Sequence, residues 1–193
     1  VSAKDPGPMN SRWVYFQGGR GEEAIWWVKE FDPMPHDKIY SGPKDYEVLR
    51  RVQWADGKTE HYDEQGALRS ITNADGSLES YTGFPEEEMC THKMYPDGRI
   101  TFYARGGGML PKTKQRTRYP SGKTEYFHTF GPYAGALQSI AEADGTRSYY
   151  EGPEGEEALR RMEHPDSGDV VYYTGRPRAE TIRRIERSDS TTH

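Results

Sequence analysis

A single cysteine, Cys90, stands among the 193 residues, so neither an intrachain disulfide nor a cysteine-based zinc site can form. No apolar run approaches the roughly 18–20 residues that a helix needs to span a bilayer. Hydrophobic residues make up only 33% of the chain against 30% charged, which argues against a thick layered core. A basic excess is missing too: the net charge of −5 argues against a nucleic-acid partner. Gly106-Gly107-Gly108 lacks the remainder of a phosphate-binding loop, and the Asp-Gly pairs lack the spacing of a calcium loop. The six histidines (His36, His61, His92, His128, His164, His193) fall at different places in the pattern described below, so stacking does not gather them around a metal. Acidic clusters such as Glu86-Glu87-Glu88 and Glu156-Glu157 read as surface charge pairing with Arg50, Arg51, Arg160, Arg161, Arg183 and Arg184, since general acid–base work needs carboxyls held in a cleft. No cofactor, no metal and no enzyme are expected.

Aromatic residues are plentiful by contrast, with 14 Tyr, 6 Phe and 4 Trp. They recur. An aromatic ends each unit at Phe16, Tyr40, Tyr62, Tyr81, Tyr103, Phe127, Tyr150 and Tyr173, in steps of 24, 22, 19, 22, 24, 23 and 23 residues. A period of this size marks stacked repeats, each burying surface against its neighbours. Gly57, Gly76, Gly98, Gly122, Gly145 and Gly168 each precede that aromatic by five residues, mostly in Asp-Gly pairs, and Asp-Gly between apolar runs signals a hairpin whose positive φ both residues tolerate. The incoming runs Leu49–Val52, Leu68–Ile71, Leu137–Ile140, Leu159–Met162 and Ile182–Ile185 have an L-x-x-V spacing that also suits a helix. A helix of about six to eight residues is too short to stand alone, so strands are expected.

The expected fold is therefore all-β: an elongated twisted antiparallel sheet or solenoid of about eight hairpin repeats of 19–24 residues. At two strands per unit it would extend on the order of 75 Å. Residues 1–12 read as an extended arm, 13–187 as a single repeat domain and 188–193 as a tail. Alternation by two places Tyr62, Tyr81, Tyr103, Phe127, Tyr150 and Tyr173 on one face, and His61, Ser80, Phe102, Tyr126, Tyr149 and Tyr172 on the other. Cys90 takes the place of Leu49 and Leu159, as a small core residue.

The run Tyr149-Tyr150-Glu151-Gly152-Pro153-Glu154-Gly155-Glu156-Glu157, continued through Leu159, His164-Pro165-Asp166-Ser167-Gly168 and Val171-Tyr172-Tyr173, resembles MORN-type repeats, and still more the tandem arrays of this rhythm in some algal proteins. It departs in placing the aromatic five residues after the turn glycine, where MORN units usually have three. The resemblance implies an extended antiparallel sheet with a scaffolding or membrane-proximal role, and carries over no catalytic residue.

Three surfaces are candidates for binding. Trp13, Trp26, Trp27 and Trp54 crowd the first two units, beyond what capping a terminal repeat needs, and with Tyr126, Tyr149 and Tyr172 they form the expected partner-binding set. From Gly98 to Thr124 there is no acidic residue, so Arg105, Lys112, Lys114, Arg116 and Arg118 form an expected site for anionic lipid or an acidic partner patch. The expected function is a structural scaffold or linker between proteins of a larger complex. The alternatives are a peripheral module on an anionic membrane, or a plastid (chloroplast) subunit linking a photosystem and its antennae. A start at Val1 rather than Met fits removal of a transit segment, and equally a chain of which only part is given.

Overall fold

The computed structural model describes residues 3–4, 12–31, 34–104 and 112–188. The chain divides into two compact units, Val1–Pro96 and Asp97–His193. The first holds β1 (Ala3–Lys4), β2 (Arg12–Gln17), β3 (Ala24–Glu30), β4 (His36–Ser41), β5 (Val48–Trp54), β6 (Thr59–Tyr62), β7 (Leu68–Thr72), β8 (Leu78–Thr82) and β9 (Met89–Met94). The second holds β10 (Ile100–Ala104), β11 (Thr113–Arg118), β12 (Thr124–Phe127), β13 (Leu137–Ala141), β14 (Arg147–Glu151), β15 (Ala158–Glu163), β16 (Val170–Thr174) and β17 (Thr181–Glu186). Among the described residues there is no helix, and within each unit every strand pairs antiparallel with the next in sequence. The all-β expectation holds.

Two connections alternate. At the Asp-Gly turns, the Trp54 N–H donates to the Lys58 carbonyl at 2.8 Å and the Gly57 N–H to the Trp54 carbonyl at 3.1 Å, with Gly57 at φ 93°. This is a turn closed by one left-handed residue, and the glycine alone supplies it. The aspartate contributes differently from expectation. Non-glycine positive φ is confined, among the described residues, to Asp45, Glu86 and Arg178. Asp56, Asp75, Asp97 and Asp144 instead use a side-chain oxygen to accept the N–H two residues on, at 2.8 to 2.9 Å, and the Ser121 and Ser167 hydroxyls do the same less tightly.

The second connection follows the aromatic and opens on Gly18, Gly42, Gly83, Gly152 or Gly175, where φ runs from 117° to 134°. In all but the Gly18 loop, whose Glu23 accepts the Gly21 N–H beside it, it closes on a glutamate that reaches back one repeat. Glu47 accepts the Ile25 N–H at 2.9 Å, Glu88 that of Leu68 at 2.8 Å, Glu157 that of Leu137 at 2.9 Å, and Glu180 that of Leu159 at 3.1 Å. Glu88 and Glu157 thus serve the backbone rather than the arginines expected for them.

A register shift occurs at each of the eight repeat aromatics, where the partner strand carries one extra residue. Tyr40 opposes Leu49 and Lys38 opposes Val52, so Leu49 and Val52 share a face although three residues apart. The helix-like L-x-x-V spacing is the imprint of a bulge. Cys90 opposes Tyr81 as Leu49 opposes Tyr40, and it is buried as expected.

The core is a shallow one. Ala24, Val28, Val52 and Ala67 are buried in the first unit, and Thr101, Thr117, Ala136, Ser148, Ala158 and Val171 in the second. Thr101, Thr117, Glu125, Ile140, Ser148, Met162 and Val171 follow one another in register across β10–β16, so Thr101, Thr117, Ser148 and Val171 are buried along one row of one face, while Ala136 and Ala158 are buried outside it.

The carboxylates in these rows hold tyrosines in place. Tyr62 donates to Glu60 at 2.7 Å, Tyr81 to Glu79 at 2.7 Å and Tyr119 to Glu125 at 2.8 Å. Burial first, and then these carboxylates, raise the phenol pKa values above the ordinary 10. A value raised by folding gives stability that is complete below pH 10 and disappears as pH climbs through the folded value. Absorbance at 295 nm is expected to show a tyrosine class that ionises only above pH 10, as the β-sheet circular dichroism is lost. One transition centred on 10 with the sheet intact would contradict the assignment.

Candidate interaction surface

The face opposite the buried row carries a second row in the second unit. Phe102, Arg116, Tyr126, Ser139, Tyr149, Arg161, Tyr172 and Arg184 oppose one another from β10 to β17. Adjacent residues of a strand point to opposite faces, so burying Thr101, Thr117 and Ser148 turns Phe102, Arg116 and Tyr149 outward. The arginines lie over the rings: Arg116 is 4.4 Å from the Phe102 centroid, Arg161 is 4.1 Å from that of Tyr149, and Arg184 is 5.3 Å from that of Tyr172. Cation–π contact of this kind contributes about 0.5–1 kcal/mol at exposed sites. Glutamates fix the far ends. Tyr149 donates to Glu163 at 2.9 Å and Tyr172 to Glu186 at 3.0 Å, while Arg161 pairs with Glu163 at 3.0 Å and Arg184 pairs with Glu186.

The three tyrosines named from the sequence, Tyr126, Tyr149 and Tyr172, therefore come together on one row. Their arginine partners Arg161 and Arg184 were read from the sequence as pairing with acidic residues, and they do pair with Glu163 and Glu186, but their place over the rings and the gap at Ser139 were not foreseen. The signal was present: Arg51, Arg116, Arg161 and Arg184 each stand two residues beyond the register partner of a repeat aromatic (Leu49, Lys114, Leu159 and Ile182).

The basic segment divides. Arg105 lies outside the described residues. Lys112 sits 5.8 Å from the Tyr103 ring and Lys114 5.5 Å from that of Phe127. Lys114 opposes Tyr103 and so holds the place that Leu49 or Leu159 holds elsewhere. Arg118 is exposed and forms no ion pair among the described residues.

The tryptophans divide too. Trp13 is 49% and Trp26 43% exposed, the latter as the extra residue of its bulge. Trp27 stacks on Tyr15 at 4.4 Å. Trp54 packs between the His36 ring at 4.5 Å and the Lys58 ammonium at 5.2 Å, inside its own sheet.

No group of histidine, cysteine and carboxylate residues among those described is arranged to hold a metal ion, and no described helix is long and apolar enough to cross a membrane. No protein-family model and no curated protein matches the chain.

Proposed function

We propose that this chain is a non-enzymatic scaffold that joins other proteins of a larger assembly, in the manner of the MORN-like arrays its rhythm resembles. The observation that carries the reading is the outward row of Tyr126, Tyr149 and Tyr172 with Arg161 and Arg184 laid on it. Tyrosine and arginine are the residue types enriched at protein interfaces, and here both are held rigid before a partner arrives, which lowers the ordering cost of binding. Exposed Trp13 and Trp26 offer a second contact area in the first unit. Cross-linking mass spectrometry on the native assembly is expected to place partner cross-links at Lys112, Lys114 and Lys123, the lysines of the second unit. A chain that runs as an isolated monomer in native extract, or turnover of a substrate abolished by one point mutation, would overturn the proposal.

A second reading, attachment to an anionic membrane, is favoured by the exposed Arg118 and the acid-free stretch around it. Sedimentation with anionic liposomes should fall when Lys112, Lys114, Arg116 and Arg118 are all changed to Glu. Unchanged sedimentation removes this reading.

A further inference from the structure

The aromatic–arginine row is broken at one place. Phe102 is covered by Arg116, Tyr149 by Arg161 and Tyr172 by Arg184, each its register partner across a bulged strand pair. Tyr126 in the same position faces Ser139. At this place lies an open cavity of about 350 Å³ lined by Tyr126, Ser139, Arg147 and Tyr149 among others. We infer that this slot receives an aromatic side chain of a partner protein, presented within an acidic stretch of sequence. The inference rests on the scaffold reading and names the partner's chemistry.

Width comes first. Tyr126 and Tyr149 stand on strands two apart, so roughly 9.5 Å separates them. A single flat group between them lies about 4.8 Å from each ring, within the range of stacked aromatic pairs. The sheet makes such a contact itself where Tyr15 and Trp27, on adjacent strands, stack at 4.4 Å and 23°.

A guanidinium is equally thin, as Arg161 at 4.1 Å from Tyr149 demonstrates, so charge decides between the two. Where arginine occupies the row beyond Tyr149, a glutamate two residues on balances it: Glu163 for Arg161 and Glu186 for Arg184. Two residues beyond Ser139 stands Ala141, with Thr124 and Arg147 as its register partners, and Arg118 opposes Thr124. Arg118 and Arg147 are both exposed, and neither forms an ion pair among the described residues. Glu163, opposite Arg147, is engaged by the Tyr149 hydroxyl and by Arg161. An incoming cation would meet Arg147 with no carboxylate left to offset it. Carboxylates on either side of an inserted ring would instead pair with Arg147 and Arg118.

The test uses the full chain and a fluorescently labelled peptide, Glu-Asp-Trp-Asp-Glu, followed by anisotropy. Comparison peptides carry Ala or Arg at the centre, or Lys in place of the acids. Ser139→Arg fills the slot with the residue this sheet already accommodates at Arg116, Arg161 and Arg184, so folding is retained. The acidic Trp peptide is expected to bind, and Ser139→Arg to weaken it about tenfold or more. Arg147→Ala combined with Arg118→Ala should weaken it and flatten its salt dependence. Absence of binding, equal binding to the Ser139→Arg variant, or preference for the Arg-centred peptide overturns the inference. So does self-association of the chain that Ser139→Arg abolishes, since a second copy would then be the occupant. Partner cross-links that survive Ser139→Arg would remove the slot while leaving the scaffold reading in place.

Discussion

Gly152→Ala is expected to lower the stability of the second unit by about 2–4 kcal/mol, through backbone strain and a direct clash. Gly152 has φ 134°, and a Cβ there would sit 2.6 Å from the Glu156 carbonyl oxygen and 3.2 Å from the Glu157 Cα. Both obstacles are backbone, so neither can swing aside. The same close approach recurs at Gly18, Gly42, Gly83 and Gly175, each with a carbonyl oxygen at 2.5 to 2.6 Å. Gly155→Ala in the same loop is the comparison. Gly155 is left-handed at φ 84° with nothing within 4 Å of its Cβ position. Its counterparts Asp45, Glu86 and Arg178 keep the left-handed turn with a side chain in place. Its loss is expected to be about 1 kcal/mol. Urea unfolding measures both, and hydrogen exchange at the β14 and β15 amides locates the damage. If the Gly155 variant proves the less stable, close approach is not what the loop requires.

These two glycines show where the sequence was legible. The period could be read because the residue types it needs are few: glycine at the turns, an aromatic at the bulge, an apolar residue opposite it. The aromatics located from spacing alone, Phe16 through Tyr173, are the residues at which the register shifts. What spacing did not disclose is that the register shifts at all. A bulge adds one residue to one strand, and in a linear string that converts a two-residue period into a three-residue one. Leu159 and Met162 therefore looked like successive turns of a helix face when they share a face of a strand.

The binding face was legible for a different reason and in smaller part. Tyr126, Tyr149 and Tyr172 fall one residue before repeat aromatics, and strict alternation at that point sends them outward. Finding Arg161 over Tyr149 required knowing the partner strand's register, which the bulge displaces by one. Charge was the least legible quantity. The basic segment reads as a free patch in sequence, yet Lys112, Lys114 and Arg116 each lie on an aromatic ring. Glu157, which reads as a free acid available to an arginine, is spent on two backbone N–H groups, that of Leu137 at the start of β13 and that of Gly155 in its own loop.

That use of Glu157 carries the second large effect. Its carboxylate accepts the Leu137 N–H at 2.9 Å through one oxygen and the Gly155 N–H at 2.9 Å through the other, which ties one repeat to the next. Glu157→Ala leaves the part-buried Leu137 N–H without an acceptor and is expected to cost about 1–3 kcal/mol. Glu157→Gln keeps a side-chain oxygen and should lose roughly half as much, since hydrogen bonds to an ionised acceptor are about twice as strong. The two variants also differ in acid. Burial acts to raise the Glu157 pKa, but the Leu137 and Gly155 N–H groups outweigh it and hold the value below 4.5. A carboxyl depressed by folding contributes stability that is complete above its unfolded value and is lost as pH falls through the folded one. The wild-type chain should therefore lose stability below pH 4.5 more steeply than Glu157→Gln, and the two curves should converge at low pH. Parallel curves across that window would mean that the glutamate stitches the repeats without its charge.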